Sequence, residues 1–199
     1  MGNKLVSPIP TFEVAQTHCT KQEIDRLKAR FSKLYQRNTE TITPATFVNS
    51  SSDKPYIKKY FLPRLFAVID AKKDNLLDFS EYASATLFLR VATVEEKAKV
   101  LFAIYEKNGV IPRENLKQLL LDCIVNEQRE VMPLSQLQDW LDDQNALTEG
   151  MVDMALNLFS PHIDKFEFND FMVFYKSDAS LPQLVELASH VLETLSAPG

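Results

Sequence analysis

Several residue types are scarce in this chain, and each shortage argues against a class of function. Four glycines among 199 residues are too few for the glycine-rich loops that bind phosphate groups. Two cysteines, Cys19 and Cys123, do not make a disulfide framework. No apolar run approaches the roughly 18 residues of a membrane span. The net charge of −5 is the opposite of the basic excess that nucleic-acid binding requires, so we expect no nucleic-acid partner.

The N-terminal residues do not have the pattern of a secretory signal peptide. Together with the low cysteine count, this favours a reducing, cytoplasmic environment. Gly2 could accept a myristoyl chain, although the motif requires Ser or Thr at position 6, where this chain has Val6. One such chain would give only weak membrane attachment, and a plain flexible N-terminus is the alternative.

The hydrophobic content of 45% is enough for a real core, and the apolar residues follow a repeat. Four apolar residues take the same place in four segments, each with a second apolar residue five positions later and a helical pair before it. The four central residues are Ile42, Leu77, Ile111 and Phe166. This is the hydrophobic skeleton of an EF-hand, a helix–loop–helix unit that we call a hand. The repeat predicts an all-α fold of four hands in two paired lobes, with short loop strands.

The boundaries of these units follow from capping and composition. Residues 1–19 show no clear period and are expected to form a flexible arm. Capping boxes open helices at Thr20 and Thr93. The predicted units are the following: a first pair of hands at 20–92, a second pair at 93–178 with an inserted helix at 134–144, and a C-terminal amphipathic helix at 179–199. The apolar face of the last helix must be buried, either on this chain or on a partner, and we favour a fold-back.

The second loop resembles a calcium site. A calcium loop of twelve residues needs oxygen ligands at positions 1, 3, 5, 9 and 12 and a backbone carbonyl at position 7. Lys72 stands at position 3 and replaces one ligand with a cation. The sequence therefore predicts a single weakly bound calcium ion at most, and the alternative is no metal at all. The candidate ligands are Asp70, Asp74, Asp78, Glu81 and the carbonyl of Leu76.

The other three loops are predicted to be metal-free. The first has Arg37 at position 3 and no carboxylate at position 12. The third is too short to surround an ion between Tyr105 and Ile111. The fourth is about one residue short, and it has Asp170 where a longer Glu is preferred.

Two segments carry a more detailed resemblance. Residues 23–34 look like the first helix of calcineurin B-type proteins, and Met1-Gly2-Asn3 and the frame of the second loop are similar too. Residues 87–105 resemble calaxin-like ciliary EF-hand proteins. The resemblance implies paired hands with apolar grooves that hold helical peptides from partner proteins. The predicted location is cytoplasmic, with a cilium or a membrane surface as further options.

These patterns predict a non-enzymatic adaptor, because no nucleophile has an assigned base and orienting group. We expect it to hold an amphipathic helix of a partner protein, largely without calcium, in a semi-open groove. The alternatives are a weak calcium sensor that uses loop 70–81 and a structural component of a ciliary or cytoskeletal assembly. The predicted groove is lined by Phe66, Phe88, Phe102, Leu119 and Phe171.

Overall fold

The computed structural model describes residues 7–35, 39–51, 55–127, 149–158 and 165–195. Most of this part of the chain is helical, which confirms the all-α prediction. Between the helices lie two short strands, β1 (Ile111–Pro112) and β2 (Lys165–Phe166). The helices are α1 (Phe12–Ala15), α2 (Lys21–Phe31), α3 (Pro44–Asn49), α4 (Leu62–Ile69), α5 (Phe79–Val91), α6 (Val94–Tyr105), α7 (Arg113–Glu127), α8 (149–158), α9 (Phe168–Ser177) and α10 (Ser180–Thr194).

Helix starts follow the local capping signals. The hydroxyl of Thr93 accepts a hydrogen bond from the backbone N–H of Glu96 at 3.3 Å, and the Glu96 carboxylate accepts one from the Thr93 N–H at 2.8 Å. Thr20 and Glu23 form the same reciprocal pair at the start of α2. Both capping boxes were predicted, because they depend on residues only three positions apart.

The four central residues of the repeat meet as two pairs. Ile42 and Leu77 form an antiparallel bridge, with both of their N–H···O distances at 2.9 Å. Ile111 of β1 lies opposite Phe166 of β2 in an antiparallel ladder. All four side chains are buried. The apolar repeat therefore places the hands in the predicted pairs, the first with the second and the third with the fourth.

A π-helical turn, Ile57–Phe61, leads directly into α4. Pro63 lies in the first turn of α4 and has no N–H to donate to the carbonyls of the π-helical turn before it. The change from π-helix to α-helix therefore falls beside the proline. Ile57, Phe61 and Leu62 around this junction are all buried in the core.

The C-terminal helix α10 folds back onto the chain, as its one-sided pattern predicts. It packs against α5, α6 and α7. Each large apolar side chain buried in this way contributes about 1.5–3 kcal/mol, so the apolar face dominates the docking of α10. Its buried side chains are Leu181, Leu184, Val185, Ala188, Val191 and Leu192.

The N-terminal arm differs from the prediction. Phe12 and Ala15 of α1 pack onto the first pair of hands, and a 3₁₀ turn at Gln16–His18 follows. The Phe12 and Phe79 rings meet edge to face, with their centroids 5.5 Å apart. One turn of helix is too short to show a hydrophobic period, and for that reason the sequence predicted a flexible arm at residues 1–19. Gly2 and the predicted helix at 134–144 lie outside the described residues.

Candidate functional site

The second loop joins α4 to α5 and keeps the backbone shape that a twelve-residue metal loop requires. Asn75 at position 6 has φ of 61°, in the left-handed region that glycine normally serves there. Asp70 at position 1 is buried and continues α4, its N–H bonding to the carbonyl of Phe66 at 2.9 Å. The bridge between Leu77 and Ile42 then fixes the middle of the loop.

Backbone donors already occupy the carboxylates of the first half of the loop. The two oxygens of Asp70 accept from the N–H of Asn75 at 2.9 Å and from that of Asp74 at 3.3 Å. The side chain of Asp74 accepts from the N–H of Leu76 at 2.9 Å. These hydrogen bonds hold the turn together.

The second half of the loop is closed by Asp78 and Glu81. Asp78 accepts from the Glu81 N–H at 2.9 Å, and Glu81 accepts from the Asp78 N–H at 3.1 Å, so the pair caps α5. The other oxygen of Glu81 accepts from the backbone N–H of Lys72 at 3.0 Å. Position 12 of the loop is thereby tied to position 3.

Lys72 supplies a cation to this loop from its own side chain. Its ammonium group bonds to the Asp78 carboxylate. That bond raises the pKa of Lys72, with Glu81 and Asp74 adding to the effect. Burial alone would raise the pKa of Asp78, but Lys72 and the N–H groups of α5 together bring it below its usual value.

As arranged, this loop is poorly suited to a calcium ion. The Lys72 ammonium group lies beside Asp78, and backbone N–H groups bond to the carboxylates of Asp70, Asp74 and Glu81. Within the described residues, no three His, Cys, Asp or Glu side chains are grouped so as to hold a metal. Burial raises the pKa of Glu81, although the backbone N–H groups of Asp78 and Lys72 oppose the effect. The five candidate ligands lie in one loop, and their role as metal ligands stays a prediction.

The five predicted groove residues lie inside the core. Phe66, Phe88, Phe102, Leu119 and Phe171 are all buried. Three of them belong to α5, α6 and α7, the helices against which α10 packs. A groove between these helices is therefore filled by the chain itself, and the semi-open state expected from the sequence is not the state of this structure. Their role in binding a partner stays a prediction.

Two polar contacts hold α10 in addition to its apolar face. The buried hydroxyl of Tyr82 in α5 donates to the carbonyl of Leu192 at 2.9 Å, near the end of α10. Lys97 of α6 pairs with Glu186 at 2.6 Å, but Glu186 is mostly exposed, so that pair contributes little. Tyr82 occupies an apolar position of the repeat, so the sequence pattern did not predict this hydrogen bond of its hydroxyl.

Comparison with known proteins finds two relatives. A recoverin family protein of Dictyostelium discoideum is 28% identical over 124 residues, which are 59% of this chain and 55% of that protein. Calaxin of Danio rerio is 35% identical over 79 residues, 38% of this chain and 37% of calaxin. No family model matches the chain. The chain is related to the EF-hand superfamily.

The chain spans only about half the length of the recoverin family protein and about a third of the length of calaxin. The relatives support an EF-hand regulatory protein as its general class. The resemblance to calcineurin B-type proteins stays a prediction. Within the described residues, no helix is long and apolar enough to cross a membrane.

The third EF-hand has replaced its loop with a tight turn. Lys107 and Val110 form a bridge, with the Lys107 N–H 2.7 Å from the Val110 carbonyl oxygen. Asn108 and Gly109 between them both have positive φ, of 57° and 84°. Asn-Gly is the strongest short signal for a two-residue hairpin turn, and it had been read only as a shortened metal loop. Residues 36–38 and 159–164 of the first and fourth loops lie outside the described residues.

Proposed function

We propose that this chain is a non-enzymatic EF-hand adaptor that binds an amphipathic helix of a partner protein, largely without calcium. The observation that carries the proposal is the Lys72 ammonium group bonded to Asp78 within the second loop. A hand that carries its own cation does not depend on a metal ion to hold its two helices in place.

The physical reasoning compares an ion with an ammonium group. Calcium draws together carboxylates that would otherwise repel one another, and in sensor hands it thereby changes the angle between the helices. In this loop Lys72 joins position 3 to position 9 through its side chain and to position 12 through its backbone N–H. In this structure Lys72 already reduces that repulsion, so calcium would have less left to change.

The partner's helix would compete with α10 for the groove helices. An amphipathic helix with apolar anchors at i, i+3 or i+4, and i+7 matches the contact that α10 already makes. Leu184→Ala should weaken the docking of α10 and strengthen partner binding. Leu187→Ala is the matched control, because Leu187 is on the same helix but only partly buried.

The proposal can be tested once a partner is recovered from native cells with the full chain as bait and identified by mass spectrometry. Calorimetry on the purified pair should give dissociation constants in calcium and in chelator that agree within a few-fold. A tenfold or larger difference, about 1.4 kcal/mol, would replace the adaptor with a sensor.

A weak calcium sensor is the second candidate. It is favoured by the four carboxylates of Asp70, Asp74, Asp78 and Glu81, which keep their places, and by the left-handed turn at Asn75. The match to calaxin supports a third possibility, a fixed component of a ciliary assembly. An adaptor should exchange freely with its partner, whereas a fixed component should stay with the assembly through extraction and washing. A cytoplasmic location and myristoylation of Gly2 stay predictions.

A further inference from the structure

Asp122 in α7 is a fully buried carboxylate. It is neither a candidate metal ligand nor one of the predicted groove residues. Its side chain accepts hydrogen bonds from the phenol of Tyr105 and from the amide nitrogen of Gln118, the latter at 2.8 Å. The phenol of Tyr56 is a further donor, and it also accepts from Gln118 at 2.7 Å. Within the described residues, no lysine, arginine or histidine forms an ion pair with Asp122.

These groups come from both pairs of hands. Tyr56 precedes the π-helical turn, and Arg64 of α4 lies with its guanidinium carbon 5.2 Å from the centre of the Tyr105 ring. Tyr105 ends α6, whereas Gln118 and Asp122 lie on α7. The inter-lobe cluster, which we define as Tyr56, Arg64, Tyr105, Gln118 and Asp122, is therefore a polar contact between the entering helix of the second hand and the helices of the third.

A buried carboxylate without a cationic partner is costly to ionise, even when it is hydrogen-bonded. Burial raises the pKa of Asp122 to about 6, and the hydrogen bonds from Tyr105 and Gln118 and the charge of Arg64 only partly oppose it. If water reached Asp122, its pKa would fall back towards its ordinary value of 3.8. The closed arrangement of the lobes therefore binds a proton more tightly than any arrangement in which Asp122 is solvated.

Among the side chains that the structure describes, the remaining charged groups on α7 and on the elements around it do not enter the cluster. On α10, Glu186 and His190 are exposed and Glu193 is partly exposed; β1 has no titratable residue, and Lys165 of β2 is exposed. On the π-helical turn, Lys59 lies over the ring of Tyr60, 4.8 Å from its centre. The other charged side chains on these elements are also at least partly exposed: Lys58, Glu95, Glu96, Lys97, Lys99, Arg113, Glu114 and Lys117.

We propose that the inter-lobe cluster is a proton-linked joint, in which a proton on Asp122 holds the two pairs of hands together and its loss makes them easier to separate. The proposal does not depend on the metal chemistry of the second loop or on the adaptor function. The direction of the pH effect follows from the burial of the carboxylate, because burial favours the protonated form. Lowering the pH from 7 towards 4 should close the joint, and raising it should favour opening.

Cys123 offers a direct probe of opening, because it is buried and next to Asp122 in sequence. In a Cys19→Ser background, its labelling by a dipyridyl disulfide can be measured from pH 4 to pH 7. Dividing each rate by that of an unfolded peptide of the same sequence removes the intrinsic pH dependence of the thiol. We expect the resulting opening constant to rise about tenfold between pH 5 and pH 7.

Two variants separate the joint from a merely structural cluster. Asp122→Asn keeps the shape of the side chain and should remove the pH dependence. Tyr56→Phe keeps the carboxylate but removes one donor, so the upper midpoint of the transition should move to higher pH. If Asp122→Asn does not fold, the shift of the midpoint in Tyr56→Phe still tests the proposal. The same pH profile in the Asp122→Asn variant as in the parent, or an unmoved midpoint in Tyr56→Phe, would overturn the proposal.

Denaturant dependence provides the last check. If the joint opens locally, labelling of Cys123 at low denaturant should depend on denaturant much more weakly than global unfolding does. If Cys123 reacts only through global unfolding at every pH, the lobes do not separate at this joint and the proposal is wrong.

Discussion

The second and third loops produce the same strand pairing by different means. The second keeps the length and left-handed turn of a metal loop and closes it with Lys72. The third has a two-residue Asn108-Gly109 turn instead. Leu77 and Ile111 are nevertheless equally buried and paired with their counterparts in the other hand of each lobe. The comparison teaches that the apolar pair, rather than the ion, sets the geometry of these paired hands.

The largest effect should come from breaking the apolar pair itself. Phe166→Ala should lower the free energy of unfolding by about 3–5 kcal/mol, because it empties a buried aromatic site opposite Ile111. Urea unfolding measures the change. Leu158→Ala is the control on α8, where the side chain is 66% exposed, and it should cost less than about 0.5 kcal/mol. Equal losses in both variants would contradict the role given to the pair.

The turn of the third loop should respond to backbone strain. Gly109→Ala places a side chain at φ of 84°, with no atom in its way, so the expected loss of about 1–2 kcal/mol is purely conformational. Gly150→Ala is the matched control in α8, where the new methyl group also meets nothing and the helix should gain up to about 1 kcal/mol. Thermal unfolding of both variants shows whether the signs are opposite. A neutral Gly109→Ala would mean that the turn does not hold the loop.

The polar contact to α10 should have a smaller effect. Tyr82→Phe removes the hydrogen bond to the Leu192 carbonyl but leaves the ring, and it should cost about 1 kcal/mol. Hydrogen exchange should quicken in the last turns of α10 more than in α7. Tyr35→Phe is the control, because Tyr35 is a partly buried ring just after α2, the entering helix of the first hand. If exchange in α10 is unchanged, Tyr82 does not help to hold that helix.

The ion pair of the second loop should contribute least to stability. The side chain of Lys72 is 58% exposed, so Lys72→Met should lower the free energy of unfolding by at most about 1 kcal/mol after solvent screening. Millimolar calcium should recover part of that loss, since it can take over the neutralisation of the carboxylates. A loss that calcium leaves untouched would mean that the ammonium group does not stand in for an ion.

Much of this architecture could be predicted from local sequence. The repeat around Ile42, Leu77, Ile111 and Phe166 gave the pairing, and the capping boxes gave two helix starts, because both signals involve residues a few positions apart. Lys72 was recognised as a defect, but its bond to Asp78 depends on the direction of a long side chain, which the sequence does not specify.

Apart from the Lys72 bond, the features that escaped prediction are non-local, with one exception. Docking of α1 requires Phe12 to meet Phe79, and the inter-lobe cluster brings Tyr56 to Asp122. No spacing rule links residues so far apart. The exception is Asn108-Gly109, a local hairpin signal that was overlooked because the segment was compared only with a calcium loop.

Calcium titration of the intact chain by calorimetry tests the central claim most directly. The parent should bind calcium with a dissociation constant of about 10⁻⁴ M or weaker, as expected for a loop with a cation at a ligand position. Lys72→Asp should tighten this at least tenfold, whereas Lys73→Asp, with the same charge change at a position that is not a ligand, should tighten it much less. Micromolar binding by the parent, or equal affinities in the two variants, would contradict the claim that Lys72 serves this loop in place of calcium.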